Sequence, residues 1–229
     1  MGKQSIWNSI VDVFFPRYCV NCLRYQDDID LFAFVCTRCF LLIRQEKKPA
    51  AAPKPIERLI CYGNYADPVL RTLLFHFKYR FVRELSSPLG ELLIQALSEG
   101  GIEDLLAPPL PAVTFIPLSP LRERWRGFNQ SLLLSKAIAS YFHLPLLSLL
   151  RRSWLAPAQA SLGEEGHRRE NMRGAFTLSV SALQPPPLKV LLIDDVSTSG
   201  ATLQEAAEVL HRWKVKRIWG AVVAGAARK

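Results

Sequence analysis

A chain of 229 residues, 49% of them hydrophobic, is long enough to bury one sizeable α/β core with a small appendage. It has no apolar run of the roughly eighteen residues that a helix spanning a bilayer needs, which argues against a helical membrane span. Its net charge of +9 favours anionic partners: phosphates, nucleic acid or an acidic membrane surface.

Ile6, Trp7, Ile10, Val11 and Phe14 recur at helical spacing between Met1 and Phe15. That stretch has no charged n-region, no small-residue cleavage site and no long apolar centre. It therefore reads as a short amphipathic helix packed on its own domain, not as a signal peptide, with peripheral contact to a membrane surface as the alternative.

Four of the five cysteines come next, as Cys19-Val20-Asn21-Cys22 and Cys36-Thr37-Arg38-Cys39, separated by residues 23 to 35, thirteen positions. Each C-x₂-C pair can present two thiolates from one knuckle, and two knuckles complete a tetrahedral Zn²⁺ site. Four thiolates leave no open position, so the zinc would be structural and would stabilise a module too small to fold on its apolar residues. Such clustering suits a reducing compartment, and a cytoplasmic protein is expected; two disulfides are the alternative. Arg17, Tyr18, Arg24, Tyr25 and Arg38 suit nucleic-acid contact and an ordinary solvated surface equally.

The Pro- and Lys-rich stretch from Lys47 to Pro55 has no apolar period and reads as a linker. The expected organisation is a zinc module with its leading helix over residues 1–47, a linker over 48–57 and an α/β domain over 58–229. In that domain the patterns predict a strand over Leu59–Tyr65, with Cys61 as a plain core residue, then helices over Asp67–Phe77 and Pro88–Leu97. A strand over Val113–Leu118, a helix over Asn129–Phe142 and a short strand over Leu146–Leu150 follow. After a polar, Arg-rich stretch from Arg151 to Arg173 come a strand over Ala175–Leu178 and a turn at Gln184 to Pro187. The last elements are a buried strand over Lys189–Asp194, a helix over Ala201–Trp213 and a strand over Arg217–Val223. This alternation predicts a mostly parallel sheet covered by helices.

The segment Val190 to Leu203 carries the most chemistry. Four apolar residues run into Asp194 and Asp195, then Val196, Ser197, Thr198, Ser199, Gly200, Ala201 and Thr202 lead into a helix. Ligands of parallel sheets bind at the carboxyl ends of strands, and a hydroxyl- and Gly-bearing loop at a helix N-terminus offers free N–H groups to a phosphate. Gly200 permits close backbone approach, and the hydroxyls of Ser197, Thr198, Ser199 and Thr202 add donors. Two adjacent carboxylates are poor phosphate ligands but suit ribose hydroxyls with Mg²⁺ nearby. An ordinary strand-to-helix turn with a capping Asp195 or Ser197 is the bland alternative. No Gly-x-Gly-x-x-Gly and no Gly-Lys-Ser/Thr loop competes with this reading. The segment resembles the phosphoribosyl-pyrophosphate (PRPP) motif of type I phosphoribosyltransferases: Asp194, Asp195, Thr198 and Gly200 match, and Ser199 stands in for the second Thr.

Two basic stretches lie upstream. From Phe115 to Gln130, a strand ends at Pro117, Arg122, Arg124 and Arg126 follow, and Asn129 can cap the next helix. Arg forks bind phosphate or pyrophosphate in two-pronged fashion, and Arg122 and Arg126 are the candidates; a solvated basic loop is the alternative. The stretch from Gln159 to Phe176, with Arg168 and Asn171, suits a loop that closes over a reactive sugar, or else a disordered excursion.

Taken in order, the four-Cys module, Lys78-Tyr79, Pro117 to Gln130, Gln159 with Arg168 to Phe176, and Asp194 to Thr202 resemble the ComF family of competence-associated proteins. That resemblance implies a type I phosphoribosyltransferase fold with an N-terminal zinc module. It also implies binding of PRPP or a ribose 5-phosphate-type ligand with Mg²⁺, and assistance to DNA uptake in natural transformation, with single-stranded DNA and competence-machinery proteins as partners. Asp194 and Asp195 would hold the ribose, Ser197 to Thr202 the 5-phosphate and Arg122 with Arg126 the pyrophosphate; Lys78, Gln159, Arg168 and Asn171 would complete the ligand site. Because the chain stops soon after its last strand, an acceptor base would have to be gripped by residues near Tyr62 to Arg83 or by the cysteine module. An active phosphoribosyltransferase and a zinc-dependent nucleic-acid adaptor are the two alternatives.

Overall fold

The computed structural model describes residues 18–26, 32–46, 51–152, 174–179 and 185–226. The expected leading helix, and Gln159, Arg168 and Asn171, lie outside the described residues. In chain order the elements begin with α1 (Thr37–Leu41), β1 (Arg58–Asn64), α2 (Pro68–Tyr79), α3 (Ser86–Glu99), α4 (Glu103–Leu106) and β2 (Ala112–Phe115). Then come α5 (Pro120–Arg126), α6 (Gln130–Tyr141), β3 (Leu150–Arg152), β4 (Phe176–Leu178), β5 (Lys189–Ser197), α7 (Ala201–Arg212) and β6 (Arg217–Gly225).

Four strands form a parallel sheet in the order β1-β6-β5-β2. A parallel sheet is covered on both faces, so its strands read as near-continuous apolar runs, as Val190 to Ile193 and Ile218 to Val223 do. The pleat sends Leu191, Ile193, Trp219, Ala221 and Val223 into one buried cluster, shared with α2, α3 and α6. Val190, Leu192, Ile218 and Val222 enter the other, under α7. The helices carry matching stripes: Leu70, Leu73, Leu74 and Phe77 on α2, and Leu203, Ala206, Ala207 and Leu210 on α7.

Local chemistry sets the helix starts. Asp67 Oδ1 accepts from Leu70 N at 2.9 Å ahead of Pro68, and Asn129 Oδ1 accepts from Leu132 N at 3.3 Å ahead of Gln130. The same logic makes a helix where a basic loop was expected. Ser119 Oγ accepts from Arg122 N at 3.4 Å, Pro120 opens the first turn, and Gly127 at φ 75° closes the last. Arg122 and Arg126 therefore stand on one short helix, α5, one turn apart.

Three further differences from the expected elements matter. The strand expected over Leu146–Leu150 is only a bridge from Leu146 to Val113; Leu149 N then donates to Leu147 O, and that tight turn sends the chain off the sheet edge into β3. β3 pairs antiparallel with β4 as a separate two-stranded ribbon. β5 runs past Asp194 to Ser197, because Val196 and Ser197 still pair with Ala224 and Gly225 of β6. Lastly, Gln45 bridges Gly63 antiparallel and Glu46 N donates to Tyr62 O at 2.7 Å, so the segment after the cysteines covers the outer edge of β1. Val35, Cys36, Cys39 and Ile43 join the same buried cluster as α2 and α3.

Candidate functional site

Asp194 and Asp195 sit at the carboxyl end of β5, both almost wholly buried. Two buried carboxylates need partners, and each has its own. Lys78 Nζ lies 2.9 Å from Asp195 Oδ1, while Asp194 Oδ1 accepts from Ser131 Oγ at 2.8 Å and from Asp195 N at 2.9 Å. Lys78 comes from the last turn of α2 and Ser131 from the first turn of α6. Helix α2 thus starts beyond the end of β1 and reaches across to the end of β5.

The electrostatics follow from this burial. Desolvation and then the neighbouring Asp195 push the Asp194 carboxyl up to about 7, against the pull of Lys78 and Ser131. Burial alone would lower the Lys78 ammonium, but Asp195 and Asp194 outweigh it and hold it above its ordinary value. The site therefore keeps a lysine charged beside a carboxylate pair, with Asp194 able to hold a proton near neutrality.

Arg126 approaches from α5. Its Nη1 donates to Gln130 Oε1 at 3.1 Å, and Gln130 Nε2 donates to Phe77 O at 3.4 Å, which ties α5, α6 and α2 together. Its guanidinium lies 5.6 Å from the Tyr79 ring centroid, and its buried Nε has no hydrogen-bond partner among the described residues. Burial lowers its proton affinity, and the charge of Asp195 opposes that. Arg122, one turn earlier, is exposed.

After the carboxylates the chain forms the loop expected to hold a phosphate. Ser197 ends β5, Thr198 is exposed, Ser199 Oγ accepts from Ala201 N at 3.4 Å, and Gly200 takes φ 77° before Ala201 and Thr202 open α7. A left-handed residue at that point suits glycine. Pro53, from the stretch before β1, packs on this loop: a Cβ at Gly200 would lie 3.3 Å from Pro53 Cγ.

The structure thus brings Asp194, Asp195, Lys78, Arg126 and the 197–202 loop to one end of the sheet. Two contributors escaped the sequence reading. Ser131 lies two residues after the capping Asn129, and no motif reading isolates a serine inside a helix. Arg152, on β3, is half-buried over the Phe176 ring, and its proton affinity is lowered by desolvation and by Arg122 while Asp194 raises it. Arg152 lies two positions after Leu150, so in a strand it shares a face with that buried leucine while Arg151 points away.

Cys19, Cys22, Cys36 and Cys39 form a second candidate site: their sulfurs all lie within 4.8 Å of one another, and none is in a disulfide. Four sulfurs this close, one pair of them at the start of α1, fit a tetrahedral zinc. Burial opposes ionisation of Cys19, but backbone N–H groups at Cys36, Cys22 and Asn21 prevail and bring its thiol down to about 7. Asn21 Nδ2 donates to Cys39 Sγ at 3.3 Å, the kind of outer hydrogen bond that orients a thiolate ligand.

The chain thus forms a mostly parallel α/β architecture with an acidic pair at the end of a central strand, a hydroxyl loop entering a helix, an arginine-bearing helix beside it and a four-cysteine cluster on its N-terminal side. No family model matches the sequence. The relatives define the family more narrowly. The chain is 30% identical over 209 residues to competence protein F of Haemophilus influenzae, covering 90% of this chain and 84% of that one, and it belongs to the competence protein F family. It is also 30% identical over 183 residues to the DNA utilization protein YhgH of Escherichia coli O157:H7, covering 78% of each. Among solved structures it is similar to an orotate phosphoribosyltransferase from Aeropyrum pernix, at 21% identity and a TM-score of 0.36 over 68% of this chain and 64% of that one. An adenine phosphoribosyltransferase from Trypanosoma brucei matches at 12% identity and a TM-score of 0.38, over 88% of this chain and 70% of that one. Both superpositions are loose, and the family membership rests on the sequence relatives.

Proposed function

We propose that this protein binds PRPP or a related ribose phosphate, with Mg²⁺, at the carboxyl end of β5 and that it assists DNA uptake, the role that the names of its relatives suggest. The observation that carries the ligand reading is the buried Asp194–Asp195 pair, held between Ser131 and Lys78 directly before the 197–202 loop. Buried carboxylates in a scaffold would be costly and without purpose; at a strand end beside a phosphate loop they accept hydrogen bonds from ribose hydroxyls. The loop N–H groups and hydroxyls hold the 5-phosphate, and Arg122 and Arg126 hold the pyrophosphate. Lys78 keeps the carboxylate pair partly neutralised until the sugar arrives. In this reading Gln159, Arg168 and Asn171 add to the ligand contacts. A structural zinc on Cys19, Cys22, Cys36 and Cys39 keeps the module folded, and a cytoplasmic location agrees with those reduced thiols.

Calorimetric titration with PRPP and Mg²⁺, with ribose 5-phosphate as the comparison, tests the site. The expectation is affinity on the order of micromolar, preferring PRPP. It should fall at least about tenfold when Asp194→Asn is combined with Asp195→Asn. Unchanged affinity in that variant would remove the ribose contacts. Binding of neither ligand would overturn the reading in favour of a zinc-dependent nucleic-acid adaptor. The role in DNA handling is tested by single-stranded DNA binding that weakens steeply with salt. Transfer of the ribose to a base is the second reading, favoured by the intact acidic pair and hydroxyl loop; release of pyrophosphate with any base would establish it.

A further inference from the structure

The Pro-rich stretch before β1 reads as a linker in the sequence, yet its described end is anchored at several points. Ala52 and Ile56 pack with the buried cluster under α7. Ile56 N donates to Pro53 O at 2.9 Å, and Glu57 N donates to Ile218 O at 2.8 Å as the chain enters β1. Pro53 is the member of this segment that meets the 197–202 loop. Its Cγ, Cβ and Cδ lie 3.3, 3.7 and 3.8 Å from the place a Cβ would take at Gly200, so the ring rests on the Gly200 backbone. On the cysteine side the same stretch is preceded by Gln45 and Glu46, which clip to β1.

The loop needs a support at this residue. Its first part is held by the sheet: Ser197 pairs with Gly225, and Ala226 N donates to Ser197 O at 3.0 Å. Gly200 has no such hold. It takes φ 77° as the N-cap of α7 and brings no side chain to cap that helix. Glycine also has the most conformational freedom to lose. The N–H groups that open α7 take their direction from Gly200, and an anion binds more tightly to donors already aimed at it. Proline suits the supporting position: its φ is fixed, its ring is rigid, and it holds the loop without adding an N–H of its own.

We infer that Pro53 is a positioning residue of the phosphate site: its ring holds Gly200, and with it the first N–H groups of α7, in the arrangement that receives a phosphate monoester before the ligand arrives. This rests on the ribose-phosphate reading above. It adds to that site a wall supplied by the segment between the cysteine cluster and β1.

Calorimetric titration of the full chain with ribose 5-phosphate tests this, together with hydrogen exchange of the free protein. Pro53→Gly should lower the affinity on the order of tenfold, the cost of ordering one backbone residue on binding, and Pro53→Ala by about threefold. In free Pro53→Gly protein the amides of Gly200, Ala201 and Thr202 should exchange about tenfold faster, with those of Leu191 to Ile193 unchanged. Ile56→Val removes a buried methylene from the same segment; it should lower Tm and leave the affinity within about twofold of the parent's. If Pro53→Gly binds within about twofold of the parent, the inference is overturned and the ribose-phosphate site stands. An equal loss in Ile56→Val overturns it too, because the effect is then one of general stability. So does a loss of affinity with unchanged exchange, since Pro53 would then act on the ligand directly. If the parent itself binds no ribose 5-phosphate, the ribose-phosphate reading falls, and the positioning role falls with it.

Discussion

Asp194 shows how a single residue's surroundings decide its behaviour. Its carboxyl is pushed up to about 7 by burial and by Asp195. A group whose folded value lies above its unfolded one binds its proton more tightly when folded, so its presence costs the native state stability as the pH rises from about 4 to about 7. Asn at this position keeps an Oδ1 acceptor for Ser131 Oγ and Asp195 N. Asp194→Asn should therefore stabilise the protein at pH 7.5 by roughly 1–3 kcal/mol and change little at pH 4, as read by urea denaturation at the two values. Lys78 gives the converse case. Lys78→Met leaves Asp195 buried without its cation and should cost about 3–5 kcal/mol, most of it recovered when Asp195→Asn is added, in a double-mutant cycle of unfolding free energies. Asp194, Asp195 and Lys78 were legible in the sequence from their motifs. Ser131 was not, because its value lies in facing Asp194 across 63 positions of chain.

At the scale of elements, the left-handed glycines at two helix ends, Gly127 after α5 and Gly200 before α7, can be compared directly. Gly200 and Gly127 have nearly the same φ, 77° and 75°, so an added Cβ costs each about 1–2 kcal/mol in backbone strain. Around Gly127 there is nothing within 4 Å, whereas at Gly200 the Cβ would press on Pro53. Gly200→Ala should therefore destabilise more than Gly127→Ala and should also weaken phosphate binding; paired melts and calorimetry check both. The helix α5 was an element the sequence contained but the reading passed over. Ser119, Pro120 and Gly127 are start and stop signals at helical distance, yet the density of arginine between them reads as an anion-binding basic loop. The strand expected over Leu146–Leu150 fails for the opposite reason: its apolar residues are real, but they pack from the sheet edge and the ribbon instead of extending the ladder.

For the whole molecule, the cysteine cluster and the α/β core share buried residues. Val35, Cys36, Cys39 and Ile43 pack with α2 and α3, and the following segment covers the edge of β1. With zinc on the four cysteines as proposed, its loss should be felt in the core: Cys36→Ser should abolish tightly held zinc and lower Tm by on the order of 10 °C, measured by metal analysis and calorimetric melting. The amino-acid sequence by itself determined the parallel α/β class, the acidic pair, the hydroxyl loop and the four thiols. Each of these is local, set by periodicity or by residue types a few positions apart. Only the tertiary structure decided what those groups face. It set Lys78 against Asp195, Ser131 against Asp194 and Pro53 on the 197–202 loop. These pairings join residues far apart in the chain, brought together by how the helices cross the strand ends, and buried packing with satisfied hydrogen bonds selects them.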